Sequence, residues 1–337
     1  MGQSKIAVIG AGSWGTALSQ VLAQSGHIVH LWDRDETLIK KMEKEKINRR
    51  YHPNTLLHKG IQPKLKLEQA FQGVDFILYA APSHAFRDFA PQFKKLMKKT
   101  NILINTAKGI DGDSLGTLVT VAKEFFEKDW VYDHYAVLSG PSFASEVMNG
   151  SPTAVAVACR NLDNAKKVQH IFHSPTFHAY INRDVLGVEL AGALKNVIAI
   201  VAGAADTFGF GYNARAALLT RGLAEMAQIG KALGADPLTF SGLSGMGDLF
   251  LTATSDLSRN RRVGILFAQG KGLKEILKEL GQVAEGIRTA KNVHFLAQKM
   301  NLEVPIFEEI YQTLYEGKPP EQAIRDLLTR EPGTELI

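Results

Sequence analysis

The chain has 337 residues, 45% of them hydrophobic and 22% charged, with a formal net charge of +5. That length exceeds what a single hydrophobic core usually serves, so two domains are expected, and the composition is that of a soluble globular protein rather than a disordered or fibrous one. The positive balance suits small anions as ligands. Nucleic acid is disfavoured because the densest charged run, residues 40–46, mixes both signs, and no basic motif interleaved with aromatics occurs.

The chain holds one cysteine, Cys159, which excludes an internal disulfide and a multi-cysteine metal site and fits a reducing, cytoplasmic setting. The first strand begins by Lys5, so no secretory leader is expected before it. His170, His173 and His178 lack ligand spacing, and no metal site is expected. No GxSxG elbow occurs, which disfavours acyl transfer.

In chain order, the apolar run from Lys5 leads directly into Gly10-Ala-Gly12-Ser13-Trp14-Gly15 and then a helical pattern. Strand, GxGxxG and helix in that order hold a dinucleotide. Gly10 permits the tight turn, Gly12 admits the pyrophosphate to the backbone, and Gly15 lets the helix pack on the sheet, with phosphate at the helix N-terminus. A second strand over residues 28–32 ends at Asp33, about 20 residues beyond the glycines, where an acid can bond the adenosine ribose.

Further strand-like runs cover residues 75–79, 101–105, 135–138, 153–157 and 177–181, mostly separated by helical patterns. Such alternation predicts a doubly wound, mainly parallel sheet of Rossmann type with ligands at the strand carboxyl ends. Ala81-Pro82-Ser83, Lys108-Gly109 and residues 140–144 each follow a strand and should border one crevice.

Beyond about residue 185 the texture becomes helical, notably over residues 213–233 and 285–300. The expected division is residues 1–185 for dinucleotide binding and 186–337 for an all-helical substrate domain, with the site between them. Residues 185–205 are apolar enough to span a membrane, but Glu189, Lys195 and Asn196 interrupt them, so a buried helix of a soluble protein is expected, with no integral membrane segment. The tail after Glu331 is expected to fray.

Lys195 in this apolar helix is the first candidate for chemistry. Burial lowers an ammonium's pKa, a carboxylate restores its charge, and such a lysine exchanges protons; the alternative is a structural pair with Glu189. Asp248, beside a glycine-rich turn, either caps the following helix or orients Lys195. Ser258-Arg259-Asn260-Arg261-Arg262 offers guanidinium and amide donors suited to phosphate, or is a solvated basic helix start. Ser139-Gly140-Pro141-Ser142 is either an anion-binding turn or an ordinary capped one.

Taken in order, GAGSWGTAL from Gly10, AKG at 107–109, GPSFA at 140–144, LKNV at 194–197, GxGDL at 245–249 and SRNRR at 258–262 closely resemble the bacterial NAD(P)-dependent glycerol-3-phosphate dehydrogenases. Residues 213–226 and 282–286 resemble that family too, so the likeness covers essentially the whole chain. It implies reversible reduction of dihydroxyacetone phosphate, a small phosphorylated triose, to the sn-glycerol 3-phosphate that glycerophospholipid synthesis requires. It further implies that Ser13, Trp14, Arg34, Lys108, Ala144, Arg259, Val283 and Glu285 contact the dinucleotide. Lys108, Gly140, Ser142, Lys195, Asp248, Ser258, Arg259 and Asn260 would surround the substrate, with Lys195 as acid/base and Asp248 aiming it. The family also implies a homodimer.

One departure concerns the cofactor. The family commonly has a small or polar residue before its arginine, whereas this chain has Asp33 before Arg34. Asp33 favours an unphosphorylated ribose and Arg34 a 2′-phosphate, so the expected cofactor is NAD(P) without a choice between the two. The alternatives are a related two-domain dehydrogenase of hydroxy acids or phosphorylated sugar acids, and a dinucleotide sensor without catalysis.

Overall fold

A computed structural model describes residues 2–281 and 284–331. Eight strands, β1 (Lys5–Ile9), β2 (Ile28–Trp32), β3 (Ile61–Lys64), β4 (Phe76–Tyr79), β5 (Ile102–Asn105), β6 (Tyr135–Ser139), β7 (Thr153–Cys159) and β8 (Phe177–Asn182), form one sheet in the order β3-β2-β1-β4-β5-β6-β7-β8. Every neighbouring pair is parallel except β6 and β7. Strands β1, β4 and β5 are almost wholly apolar and buried because helices cover both faces of the sheet. The strand order reverses between β1 and β4, which opens a crevice at their carboxyl ends.

The expected strands form with ends within a few residues, but β3 was not anticipated. Its sequence, Ile-Gln-Pro-Lys, is polar and contains Pro63. It pairs only with β2, at the sheet edge, where a residue lacking an N–H is tolerated.

Among the described residues no strand follows Asn182. The helix Val185–Thr207 runs through the centre of the helical half, surrounded by the helices Gly211–Ala232, Asp248–Thr254, Arg259–Ala268 and Glu285–Met300. This explains its apolar composition on every side: its most membrane-like window is 94% buried in protein. Val188, Leu190, Leu194, Val197 and Ile198 are all at most 1% exposed, and each such side chain contributes about 1.5–3 kcal/mol. Two glycines let this helix and Arg259–Ala268 cross in backbone contact. A Cβ on Gly264 would lie 1.8 Å from the Ile200 carbonyl oxygen, and one on Gly203 would lie 2.1 Å from that of Arg261. That crossing carries Arg259 and Asn260 to the side of Lys195 and Asn196.

Candidate active site

The glycine turn is built as its spacing predicts. Gly10 has φ +112°, which an L side chain rarely adopts, and a Cβ there would lie 2.8 Å from the Ala81 nitrogen across the switch point. A Cβ on Gly15 would lie 1.9 Å from the Gly10 carbonyl oxygen, so the helix Ser13–Gln24 rests directly on the turn. At Gly12, by contrast, a Cβ would meet nothing within 4 Å. No side chain caps that helix, so its first amides keep their capacity for a phosphate. An open approach over Gly12 toward an uncapped helix N-terminus fits a dinucleotide pyrophosphate.

Asp33 serves the turn itself. Its Oδ2 accepts from the Ala11 N–H at 2.8 Å and its Oδ1 from that of Asp35 at 3.0 Å. The carboxylate expected to meet the ribose therefore already ties the glycine turn to the end of β2. Arg34 beside it is exposed, and Asp35 caps the helix Glu36–Glu45 through the Leu38 N–H. Two residues from the excursion before β3 brace the turn further. Asn48 donates to the Ala11 carbonyl at 2.9 Å, and the His52 Nε2 lies 2.9 Å from the Ser13 carbonyl oxygen.

A cleft of about 490 Å³ runs from this turn to the long helix, lined by Ser13, Trp14, Lys108, Ser142 and Ala144 from the sheet half and by Lys195, Asp248, Ser258, Arg259, Asn260 and Glu285 from the helical half. Gly140 stands beside it, its carbonyl oxygen 3.4 Å from the Lys108 Nζ, while Arg34 does not line it.

At the cleft floor Asp248 joins two ammoniums. Its Oδ1 accepts from the Lys195 Nζ at 3.0 Å and its Oδ2 from the Lys108 Nζ at 2.6 Å. Lys195 is 5% exposed and Asp248 is 2% exposed. Burial pushes the Lys195 ammonium down to about 8, with Asp248 opposing and Lys108 assisting the shift. Burial also works against the charge of Asp248, but Lys108 and then Lys195 outweigh it and hold the carboxylate below its ordinary range. Asp248 is thus the partner of Lys195 rather than a cap. Glu189 is not paired with Lys195 but accepts from Asn105, Tyr135 and the Val119 N–H.

Ser258 caps the helix Arg259–Ala268 through the Arg261 N–H, which directs Arg259 and Asn260 into the cleft. Asn260 is framed on both sides, donating to the Asn196 Oδ1 at 2.8 Å and accepting from the Gly286 N–H at 3.1 Å. Burial pulls the Arg259 guanidinium below its ordinary value, opposed by Glu285 and Tyr51. Arg261 and Arg262 face elsewhere, pairing with Asp206 and Asp256 and with Glu279. Glu285 accepts from the Ser83 N–H at 3.1 Å and the Ser83 hydroxyl at 2.9 Å, joining the loop after β4 to the helical half. Ser142 donates to the Gly140 carbonyl. Val283 lies outside the described residues.

Sequence reasoning missed Thr252, whose Oγ1 lies 2.6 Å from the Lys195 Nζ. Its signal was available, because Asp248 and Thr252 stand four apart on one helix and so share a face. It gave no role to Asn196, although that amide interrupts the apolar helix just as Lys195 does, and it missed Thr106 and Tyr51 in the cleft wall; nothing in the local sequence of the last two separates them from ordinary polar positions.

A Rossmann crevice that fits a dinucleotide, facing a buried lysine with a near-neutral pKa on a helical half, defines a nicotinamide-dependent dehydrogenase. Residues 5–165 match the family NAD-dependent glycerol-3-phosphate dehydrogenase N-terminus, and residues 184–325 match its C-terminus. This chain belongs to the NAD-dependent glycerol-3-phosphate dehydrogenase family. The glycerol-3-phosphate dehydrogenase (NAD(P)+) of Geobacter metallireducens is 48% identical over 331 residues, covering 98% of each chain. The relative of that name from Carboxydothermus hydrogenoformans is 45% identical over 336 residues, covering 100% of this chain and 99% of its own. Among solved structures, the glycerol-3-phosphate dehydrogenase of Coxiella burnetii superposes with a TM-score of 0.92 at 38% identity, over 97% of this chain and 99% of that one.

Proposed function

We propose that this chain interconverts dihydroxyacetone phosphate and sn-glycerol 3-phosphate with NAD(P), supplying the glycerol backbone of glycerophospholipids. The observation that carries this reading is the buried Lys195–Asp248–Lys108 cluster in one cleft with an open glycine turn and Arg259. When bound, NAD(P)H supplies a hydride to the C2 carbonyl carbon. Lys195, held charged by Asp248, stabilises the negative charge growing on the C2 oxygen and donates the proton that completes the hydroxyl. In the reverse direction neutral Lys195 accepts that proton, and a pKa of about 8 keeps both forms accessible near neutrality.

Arg259 and the framed amide of Asn260 suit the substrate phosphate, whose binding orients the carbon to be reduced. Lys108 stands where a second ammonium faces the same oxygen. Gly10, Gly12 and Gly15 shape the pyrophosphate site, and Ser13, Trp14, Arg34, Ala144 and Glu285 complete the dinucleotide contacts. The division at residue 185, a homodimeric state and a cytoplasmic location belong to the same reading; the buried, unpaired Cys159 agrees with the last.

The test follows NADPH and NADH absorbance separately after addition of dihydroxyacetone phosphate, with dihydroxyacetone as the control. Oxidation with the phosphorylated ketone alone supports the reading. A folded protein that binds NADPH and oxidises it with neither ketone refutes it.

A further inference from the structure

Glu189 is a buried carboxylate that the chemistry above does not use. It is 4% exposed and carries no ion pair among the described residues. Burial raises its pKa, as expected for a carboxylate removed from water with only neutral donors around it. Such a group is costly to keep unless it specifies something.

Its partners indicate what it specifies. Although Glu189 belongs to the long helix of the helical half, its donors come from the sheet half. They include the Asn105 Nδ2 at 2.7 Å, the Tyr135 hydroxyl at 2.5 Å and the Val119 N–H at 2.9 Å, with the Thr117 side chain beside them. Asn105 is the last residue of β5, and its amide also frames the turn that follows. The Asn105 Oδ1 accepts from the Ala107 N–H at 2.9 Å, and its Nδ2 lies 3.3 Å from the Ala107 carbonyl oxygen. The next residue is Lys108.

The same helix face continues the contact. Gly192, three residues after Glu189, lies under the Lys108 stem: a Cβ there would meet the Ser139 Oγ at 2.7 Å and would touch Lys108 Cγ at 3.4 Å and Cδ at 3.6 Å in ordinary van der Waals contact. One turn further on stand Lys195 and Asn196. Glu189 thus holds the root of Lys108, its methylenes lie over Gly192, and Asp248 receives its ammonium.

We propose that Glu189 is a positioning residue for the reaction, acting through Asn105 to set the turn that places the Lys108 ammonium on Asp248. The proposal rests on the dehydrogenase reading and deepens it. Its consequence reaches Lys195, which is faced by Asp248, Lys108, Arg259 and the Thr252 hydroxyl. Lys108 holds the Lys195 pKa down, so a displaced Lys108 lets it rise. In the reduction direction Lys195 must be protonated, so the alkaline limb of kcat moves to higher pH.

Two variants test this. Glu189→Gln keeps the shape but sets an NH2 against donors. Asn105→Ser retains an oxygen for the Ala107 N–H but cannot reach Glu189. Expected for both is a fall in kcat with dihydroxyacetone phosphate, on the order of 10- to 100-fold for a displacement near 1 Å. The alkaline limb is displaced upward, and the Kd for NADPH stays within about twofold of the parent. Should Glu189→Gln fail to fold, Asn105→Ser carries the test alone. A lowered Tm with parental kcat and an unmoved limb overturns the proposal and leaves a purely structural role. Parent protein that turns over while neither variant differs sinks this inference alone; parent protein that fails to turn over sinks the dehydrogenase reading with it.

Discussion

Replacing Asp248 by Asn changes the charge at the cleft floor and almost nothing of its shape. The two ammoniums of Lys108 and Lys195, now 2.6 and 3.0 Å from its oxygens, would face each other with no anion between them. Removing one partner of a buried ion pair costs about 3–5 kcal/mol. Part of this is relieved when Lys195 gives up its proton, and at about 1.4 kcal/mol per pKa unit a loss of about 3 kcal/mol lowers its pKa by about 2. From about 8 in the parent, the variant Lys195 would then titrate below neutrality. At pH 7 the protonated fraction falls from about nine-tenths to about one-tenth. The initial rate of NADPH oxidation with saturating dihydroxyacetone phosphate should therefore fall by about tenfold at pH 7 from protonation alone, and further from lost aim. Measured from pH 5.5 to 9, kcat in the variant should recover partly toward acid, its alkaline limb lying about two pH units below the parental one. A variant whose limb stays near the parental position would refute the assignment of that limb to Lys195 held charged by Asp248.

Gly12→Val places its side chain in open space, so Tm should hold within a degree or two while the dinucleotide Kd, read by fluorescence quenching, rises at least about tenfold. Arg34 is exposed beside the end of β2, where a guanidinium can meet a 2′-phosphate. Arg34→Ala should weaken NADPH by about tenfold, the loss of one charge-assisted bond, and NADH by less than about twofold in the same titration. Glu225 accepts from the Ile306 N–H at the start of the helix Pro305–Tyr311, and burial raises its pKa from 4.5 to about 7. Between those values the unfolded chain loses a proton that the folded chain keeps, so the contribution of Glu225 to stability is fully present below 4.5 and is lost as pH rises through 7, by on the order of 3 kcal/mol. Urea denaturation of Glu225→Gln across that range should lack this component, and an unchanged pH slope would contradict it.

The legible parts of the molecule are those where a local pattern carries the information. The glycine turn could be read because strand, GxGxxG and helix must be contiguous to work, and the long helix because an all-apolar run of that length must be buried. Lys195 stood out by contrast with that run. Its partner remained open between Glu189 and Asp248 from the local pattern, and the family resemblance alone pointed to Asp248, since the choice depends on how Asp248–Thr254 packs across Val185–Thr207, a contact between residues 53 apart. Asp33 illustrates a role that local sequence hides. Its position matches a ribose-binding acid, and the fold shows that the same carboxylate also accepts from the Ala11 N–H, tying the glycine turn to the end of β2. Arg259, Arg261 and Arg262 look alike in sequence. The Ser258 cap and the rotation of the helix it starts send Arg259 into the cleft and the other two to surface acids. Edge strand β3 was hidden because its sequence follows from what an edge tolerates rather than from what a core requires.

The account turns on Lys195 as the proton donor, and the most direct measurement compares single-turnover NADPH oxidation in the parent with that in Lys195→Ala, alongside NADPH affinity in each. The account predicts a loss of about 10²–10⁴ in rate, the usual worth of a positioned acid, with the Kd for NADPH unchanged within about twofold. Oxidation of NADPH by dihydroxyacetone phosphate at near-parental rate in Lys195→Ala would contradict it.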